Sequence, residues 1–177
     1  EDTAKVFSTS NSNAISVTDV DAASSAIKTT LSVLHGTLTL SGTTGLTFVD
    51  ATSNGAATVA FTGSLTDVNA VLNGLSYTPA LNYNGSDTLT ITSNDLGNTG
   101  MGGALTDTDT VSITVAAMND APVLADANVT MTAELEDAAA PSGVVGTLIS
   151  SLVDMGGPLH NVTDVEGGPA IGIAVTG

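Results

Sequence analysis

Asp109-Thr110-Val111-Ser112-Ile113-Thr114-Val115 is followed almost at once by Met118-Asn119-Asp120-Ala121-Pro122-Val123. In the first stretch the apolar residues recur every second position, the pattern of a strand with one face buried. In the second, Pro122 disfavours the α region for Ala121, so the chain should pass through extended. Asn119 and Asp120 thus place two oxygen-bearing side chains in a short, non-helical joint between two β-rich segments. A hard cation could stiffen a hinge of that kind. Working outward from the joint divides the chain into a β-module over 1–118, a linker over 119–122 and a partial second module over 123–177.

The composition fits this division. The 177 residues suffice for one domain and a fraction of another. Hydrophobic residues make up 42%, but there are only three Phe, two Tyr and no Trp, so a core mainly of Val, Leu, Ile and Ala is expected. Such a core, with threonine outside it, suits β-strand packing. Eighteen acidic residues face two lysines and no arginine, giving a net charge of −16. Nucleic acid is therefore excluded as a partner, because phosphate binding needs a basic surface. So much like charge repels itself in a folded chain unless cations absorb it. Without cysteine there are neither disulfides nor thiolate metal sites. No apolar run is long enough for a membrane span, and residues 1–15 lack the pattern of a secretory leader. The sequence reads as a piece of something longer, so a missing leader says nothing about secretion.

From the amino end, Lys5-Val6-Phe7-Ser8 and Ala14-Ile15-Ser16-Val17 read as short strands either side of the turn-forming Asn11-Ser12-Asn13. Further strands are expected at 27–34, 37–41, 46–49 and 56–62, separated by His35-Gly36, the 41–45 turn and Asn54-Gly55. Residues 64–74 break the pattern. Ser64 or Thr66 can cap a helix, Leu65, Val68 and Leu72 recur at helical spacing, and Gly74 can end it. Strands resume at 75–78, 87–93 and 109–117, with a glycine-rich loop from Asp95 to Thr106. The sum is an all-β, antiparallel sandwich with one short helical crossover.

Beyond Pro122 the sequence begins again. Glu136-Asp137 echoes Glu1-Asp2 at an offset of 135 residues, and Asp164 echoes Asp19 at 145. About ten extra residues in the second copy fall around Pro141 to Pro158. A period far above the 20–50 residues of solenoids means whole domains in tandem. The second copy stops short of a full sheet and cannot bury a core alone.

Gly36-Thr37-Leu38-Thr39-Leu40, Leu72-Asn73-Gly74-Leu75-Ser76-Tyr77-Thr78-Pro79, Asn82-Tyr83-Asn84-Gly85-Ser86-Asp87-Thr88-Leu89 and Asn119-Asp120-Ala121-Pro122 together resemble the cadherin-like tandem repeats of giant bacterial surface and RTX-type adhesins. The resemblance is dense to about residue 122 and partial beyond. It implies an immunoglobulin-like sandwich, Ca²⁺ at the joints between repeats, and an extracellular place at a bacterial cell surface or in a biofilm matrix.

The resemblance also implies a ligand set. Calcium takes about six to eight oxygens from carboxylates, amides and carbonyls in tolerant geometry. Asn119 and Asp120 match the linker, Asp164 and Glu166 the top-loop pair of the next copy, and Glu1 the acid at a module's base. The corresponding top cluster of the first copy is Asp19, Asp21 and Asp95, whose own linker would lie upstream. Asn82 and Asn84 stand where cadherins carry an acidic base motif, which lowers the charge available. The competing reading of Asp19-Val20-Asp21 is a solvated turn; recurrence of the pair after the linker favours calcium. Neither an EF-hand loop nor a glycine-aspartate nonapeptide is present.

Other features weigh little. His35 and His160 each sit beside a turn residue, with no second His or Cys at ligand spacing. Asp107 and Asp109 read as a solvated strand end. The Thr-x-Thr runs at 37–39, 88–92 and 108–110 suit an ice-binding face, but outward threonine in half-exposed strands explains them more simply. Asn84, Asn128 and Asn161 head formal glycosylation sequons. No nucleophile–base pair or pocketed carboxylate pair suggests an enzyme.

The expectation is a structural spacer whose partners are neighbouring repeats or identical subunits. The alternatives are a self-assembling filament built by strand exchange, and an adhesion module whose Asp95–Thr106 loop engages a surface glycan or protein. One detail bears on the filament. The first copy starts at Glu1-Asp2 and has no counterpart of Val123 to Ala133, so a sheet edge with unpaired backbone is expected there.

Overall fold

A computed structural model describes residues 1–22, 24–98, 102–121, 123–124 and 162–163. The chain divides between Ala117 and Met118 into two units. In the first, eight strands and one helix form two antiparallel sheets. The three-stranded sheet has the order β1-β6-β3, with β1 at Lys5–Phe7, β3 at Gly36–Thr39 and β6 at Leu75–Pro79. The five-stranded sheet has the order β4-β5-β2-β7-β8, from β2 (Ala26–Ser32), β4 (Thr47–Phe48), β5 (Thr58–Ser64), β7 (Gly85–Asn94) and β8 (Thr106–Val115). The all-β sandwich read from the sequence is thus the observed fold.

Strand alternation fixes the layers. In β2, Ile27, Thr29 and Leu31 are buried, while Lys28, Thr30 and Ser32 between them are half-buried. Pairing of Ala26↔Ser64 through Ser32↔Thr58 brings Val59 and Phe61 of β5 to the same side. On the other flank, Leu31↔Ile91 adds Ile91 of β7. Leu38, Leu75 and Tyr77 complete one continuous core from the smaller sheet. A one-residue slip would turn every one of these side chains to solvent, so burial itself holds the register.

The helix α1 runs from Leu65 to Leu72 and buries Val68, Val71 and Leu72. Ser64 is its N-cap: the hydroxyl accepts from the Asp67 amide at 3.2 Å and donates to the Asp67 carboxylate at 2.6 Å. Asn73 follows the last turn, and Gly74 then takes φ +108°, a conformation that favours glycine, while its N–H donates to the Phe7 carbonyl at 2.8 Å.

Ala14–Val17 differs from expectation, because it is not a strand. The backbone N–H and C=O of Val17 pair instead with the side-chain amide of Asn69 on α1, at 2.8 and 2.9 Å. An asparagine on the helix thus takes the place of a strand partner. Strand β8 also begins at Thr106, three residues earlier than its apolar pattern shows.

In the second unit, β9 (Val123–Leu124) pairs antiparallel with β10 (Val162–Thr163). Pro122, Glu136, Asp137, His160, Asp164 and Glu166, and the rest of the partial second copy, lie outside the described residues.

Candidate cation-binding ends of the sandwich

Strand β7 is ten residues long, about 33 Å at strand rise. Six acidic residues of the first unit gather at its two ends. At the end where β7 runs into the glycine-rich loop, Asp19, Asp21, Asp95 and Asp107 line one open cavity of about 430 Å³. Two local devices position them. Asp19 Oδ1 accepts the N–H groups of Asp21 (3.1 Å) and Ala22 (2.9 Å). Those two backbone amides hold the Asp19 carboxyl below its ordinary range against a small opposing effect of burial. Asp95 Oδ1 accepts from Gly97 (2.9 Å) and Leu105 (2.7 Å), which closes the loop at its base.

These four carboxylates form a purely oxygen donor set, which suits a hard cation rather than a transition metal. No three of them come within 4.8 Å of one another. Asp19 and Asp95 each commit one oxygen to the backbone. A hard cation placed at this end would find only part of an oxygen shell in the first unit, and the remaining oxygens would have to come from elsewhere.

At the opposite end of β7, Glu1 and Asp2 bring carboxylate oxygens within 4.8 Å of each other. Glu1 is only 7% exposed. Its Oε2 accepts from the Asn84 side-chain amide at 3.3 Å, and its amino nitrogen donates to the Ala116 carbonyl at 2.7 Å. Asp2 accepts from the Asn82 amide at 3.2 Å. The base motif read at Asn82 and Asn84 thus lies beside Glu1 and Asp2.

Of the residues expected to bind, Asp19, Asp21 and Asp95 share one cavity, and Glu1 sits at the other end of β7. Asn119 and Asp120 open the second unit, where the Asn119 amide donates to the Asp120 carbonyl at 3.3 Å. Two acids at these ends are not among the ligands that the sequence suggests. The sequence makes Asp107 a solvated strand end, yet the β7–β8 register sets it opposite Ser93, two residues from Asp95. Asp2 stands beside Glu1 here, and its recurrence as Asp137 is the signal in the sequence that points to it.

A second polar cluster has a different character. The Asp87 side chain is fully buried. It accepts from the backbone N–H groups of Leu34 (3.1 Å), His35 (2.9 Å) and Thr88 (2.8 Å) and from the Tyr77 hydroxyl (2.9 Å). Burial alone would push its pKa up; the four donors outweigh it and leave the carboxyl below its ordinary range. Burial, and then the bond to Asp87, pushes the Tyr77 hydroxyl well up. His35 stacks on Tyr83 with ring centres 4.2 Å apart, and its Nδ1 lies 3.8 Å from Asp87. Every donor around Asp87 points at one acceptor that binds both sheets to the β2–β3 turn. This is a structural tie.

No family model, curated protein or solved structure matches the chain. Among the described residues no helix is long and apolar enough to cross a membrane.

Proposed function

We propose that the chain is a spacer repeat of an extracellular bacterial adhesin or matrix fibre, similar to cadherin-like repeats and stiffened by Ca²⁺ where repeats join. The observation that carries this reading is the placement of acidic oxygens at both ends of β7, with Asp19, Asp21, Asp95 and Asp107 at one end and Glu1 and Asp2 at the other. A module that hands load along its length needs its ion-binding groups at its ends. The net charge of −16 gives the same cations a second role, relief of self-repulsion.

In this reading Asn119 and Asp120 contribute linker oxygens, and Asp164 and Glu166 those of the following copy. When bound, calcium supplies a fixed positive centre; the chain's residues supply the oxygens and hold the backbone about it. The bland alternative, solvated Asx turns, accounts for the Oδ1 bonds of Asp19 and Asp95 but not for four acids around one cavity.

Calorimetric titration of the 177-residue chain with calcium tests the proposal. Extracellular modules bind with dissociation constants of about 10⁻⁴–10⁻³ M. Saturable binding in that range, weakened in Asp19→Asn and in Asp120→Ala, is the expected result. A featureless titration would remove calcium from the account.

A further inference from the structure

The outer face of the five-stranded sheet has a narrow chemistry. Along β7 and β8 the residues that face away from the core are all Ser, Thr or Asn. Asp107 and Asp109 alternate to the opposite side, where they line a cavity with Ile91 and Ser93. The register joins the threonine runs at 88–92 and 108–110 to β2. One row across three strands is Thr110, Thr90 and Ser32, and the next is Thr108, Thr92 and Thr30. Rows and strands make a grid, with about 4.8 Å between strands and about 6.7 Å between alternate residues. The hydroxyls of Thr92 and Thr108 lie 3.1 Å apart within their row. The run at 37–39 belongs to the smaller sheet and takes no part.

Exposure of half-buried strands accounts for single threonines but not for this face. Solvated surfaces carry interspersed charges, and the chain as a whole has a net charge of −16. Yet the two rows hold no charge, and Lys28 in the adjoining row is ion-paired with Asp50 at 2.6 Å. The same rows argue against ordinary partners. A protein surface would gain little from them, because hydroxyl groups offer little apolar area to remove from water. A glycan would find no aromatic ring in them to stack on. Water in an ordered lattice does fit. Each hydroxyl both donates and accepts, each threonine adds a methyl, and no charge holds water in a competing orientation. Strands β2 and β7 lie inside the sheet, so the grid stands on a rigid base.

We propose that the threonine and serine grid on the outer face of β2, β7 and β8 binds the surface of ice. Its hydroxyls take lattice positions of the outermost water layer, and its methyls sit between them. Sheet twist turns neighbouring strands by about 20–25°, so the match is confined to these three strands and does not extend across the whole sheet. The binding uses neutral side chains and no metal. It adds a ligand to the spacer reading and stands or falls apart from calcium.

The test is partition of the unlabelled 177-residue chain between slowly grown ice and the remaining liquid, in calcium and in chelator, beside an inert protein of similar size. The chain should be enriched in the ice, whereas the inert protein is excluded. The double substitution T90K/T110K places two charges in the grid without touching the core. It should abolish the enrichment while circular dichroism and the melting midpoint stay unchanged. T37K/T39K adds the same charge to the smaller sheet and should partition as the unsubstituted chain does. Exclusion of the unsubstituted chain from ice would overturn the proposal whatever the variants do. So would enrichment that survives T90K/T110K, or that is lost equally in T37K/T39K.

Discussion

At the scale of single residues, the strongest dependence falls on Asp87. Asp87→Ala would leave the Leu34 and His35 amides and the Tyr77 hydroxyl without their buried acceptor, and a loss of about 3 kcal/mol is expected in denaturant melts. Tyr77→Phe removes one bond to a charged acceptor and should cost about 1.5–3 kcal/mol. The pH dependence follows from the lowered pKa of Asp87. Between its folded value and the ordinary value near 3.9, the unfolded chain binds the extra proton, so stability rises with pH across that window. The contribution is complete above the unfolded value and is lost as pH falls through the folded one. Asp87→Asn should flatten that acid limb. Thr29 behaves in the opposite way. Its hydroxyl is buried in the core with no hydrogen-bond partner, so the isosteric Thr29→Val should raise stability by about 1 kcal/mol. An unchanged or lowered midpoint would show that the hydroxyl has a partner after all.

At the scale of elements, the helix and the small sheet are the sensitive parts. Ser64→Ala removes the cap of α1 and should cost about 1 kcal/mol. Because α1 carries Asn69, the substitution should also loosen Ala14–Val17, seen as faster amide exchange at Val17. Gly36→Ala would drive its Cβ into the Thr78 carbonyl oxygen and the Tyr77 ring and should open the β3–β6 pairing. Period-two alternation made β2, β5 and β7 legible in the sequence, and Ser64 with Leu65, Val68 and Leu72 made α1 legible. The misreadings share one physical cause. Ala14–Val17 has the apolar spacing of a strand, but its backbone partner is a side chain 52 residues away. The first residues of β8 are Thr and Asp, so pairing with β7, not burial, makes them strand. Nothing in the local sequence marks Asp87 as buried, because the Leu34 and His35 amides that hold it come from a turn 53 and 52 residues away. Tertiary partners decided each case, and local pattern does not carry them.

At the scale of the whole molecule, acids dominate, and the proposal of calcium rests on the six that lie at the ends of β7. Asp19 and Asp21 stand out in the sequence because the pair recurs as Asp164 and Glu166 after the linker, whereas Asp95 comes only from the resemblance to cadherin-like repeats. Their gathering with Asp107 required the register of β7 on β8. At free calcium about 100-fold above the dissociation constant, each proposed site would add on the order of 2.7 kcal/mol. Asp120→Ala should increase flexibility at residues 118–123, read as faster amide exchange, while the sandwich of residues 1–117 stays folded. The most direct measurement is the thermal melt of the 177-residue chain in millimolar calcium and in excess chelator, recorded with its small-angle scattering profile. The expected result is a clearly higher midpoint and a straighter particle with calcium. Superimposable melts and scattering curves in the two conditions would contradict a calcium-stiffened repeat.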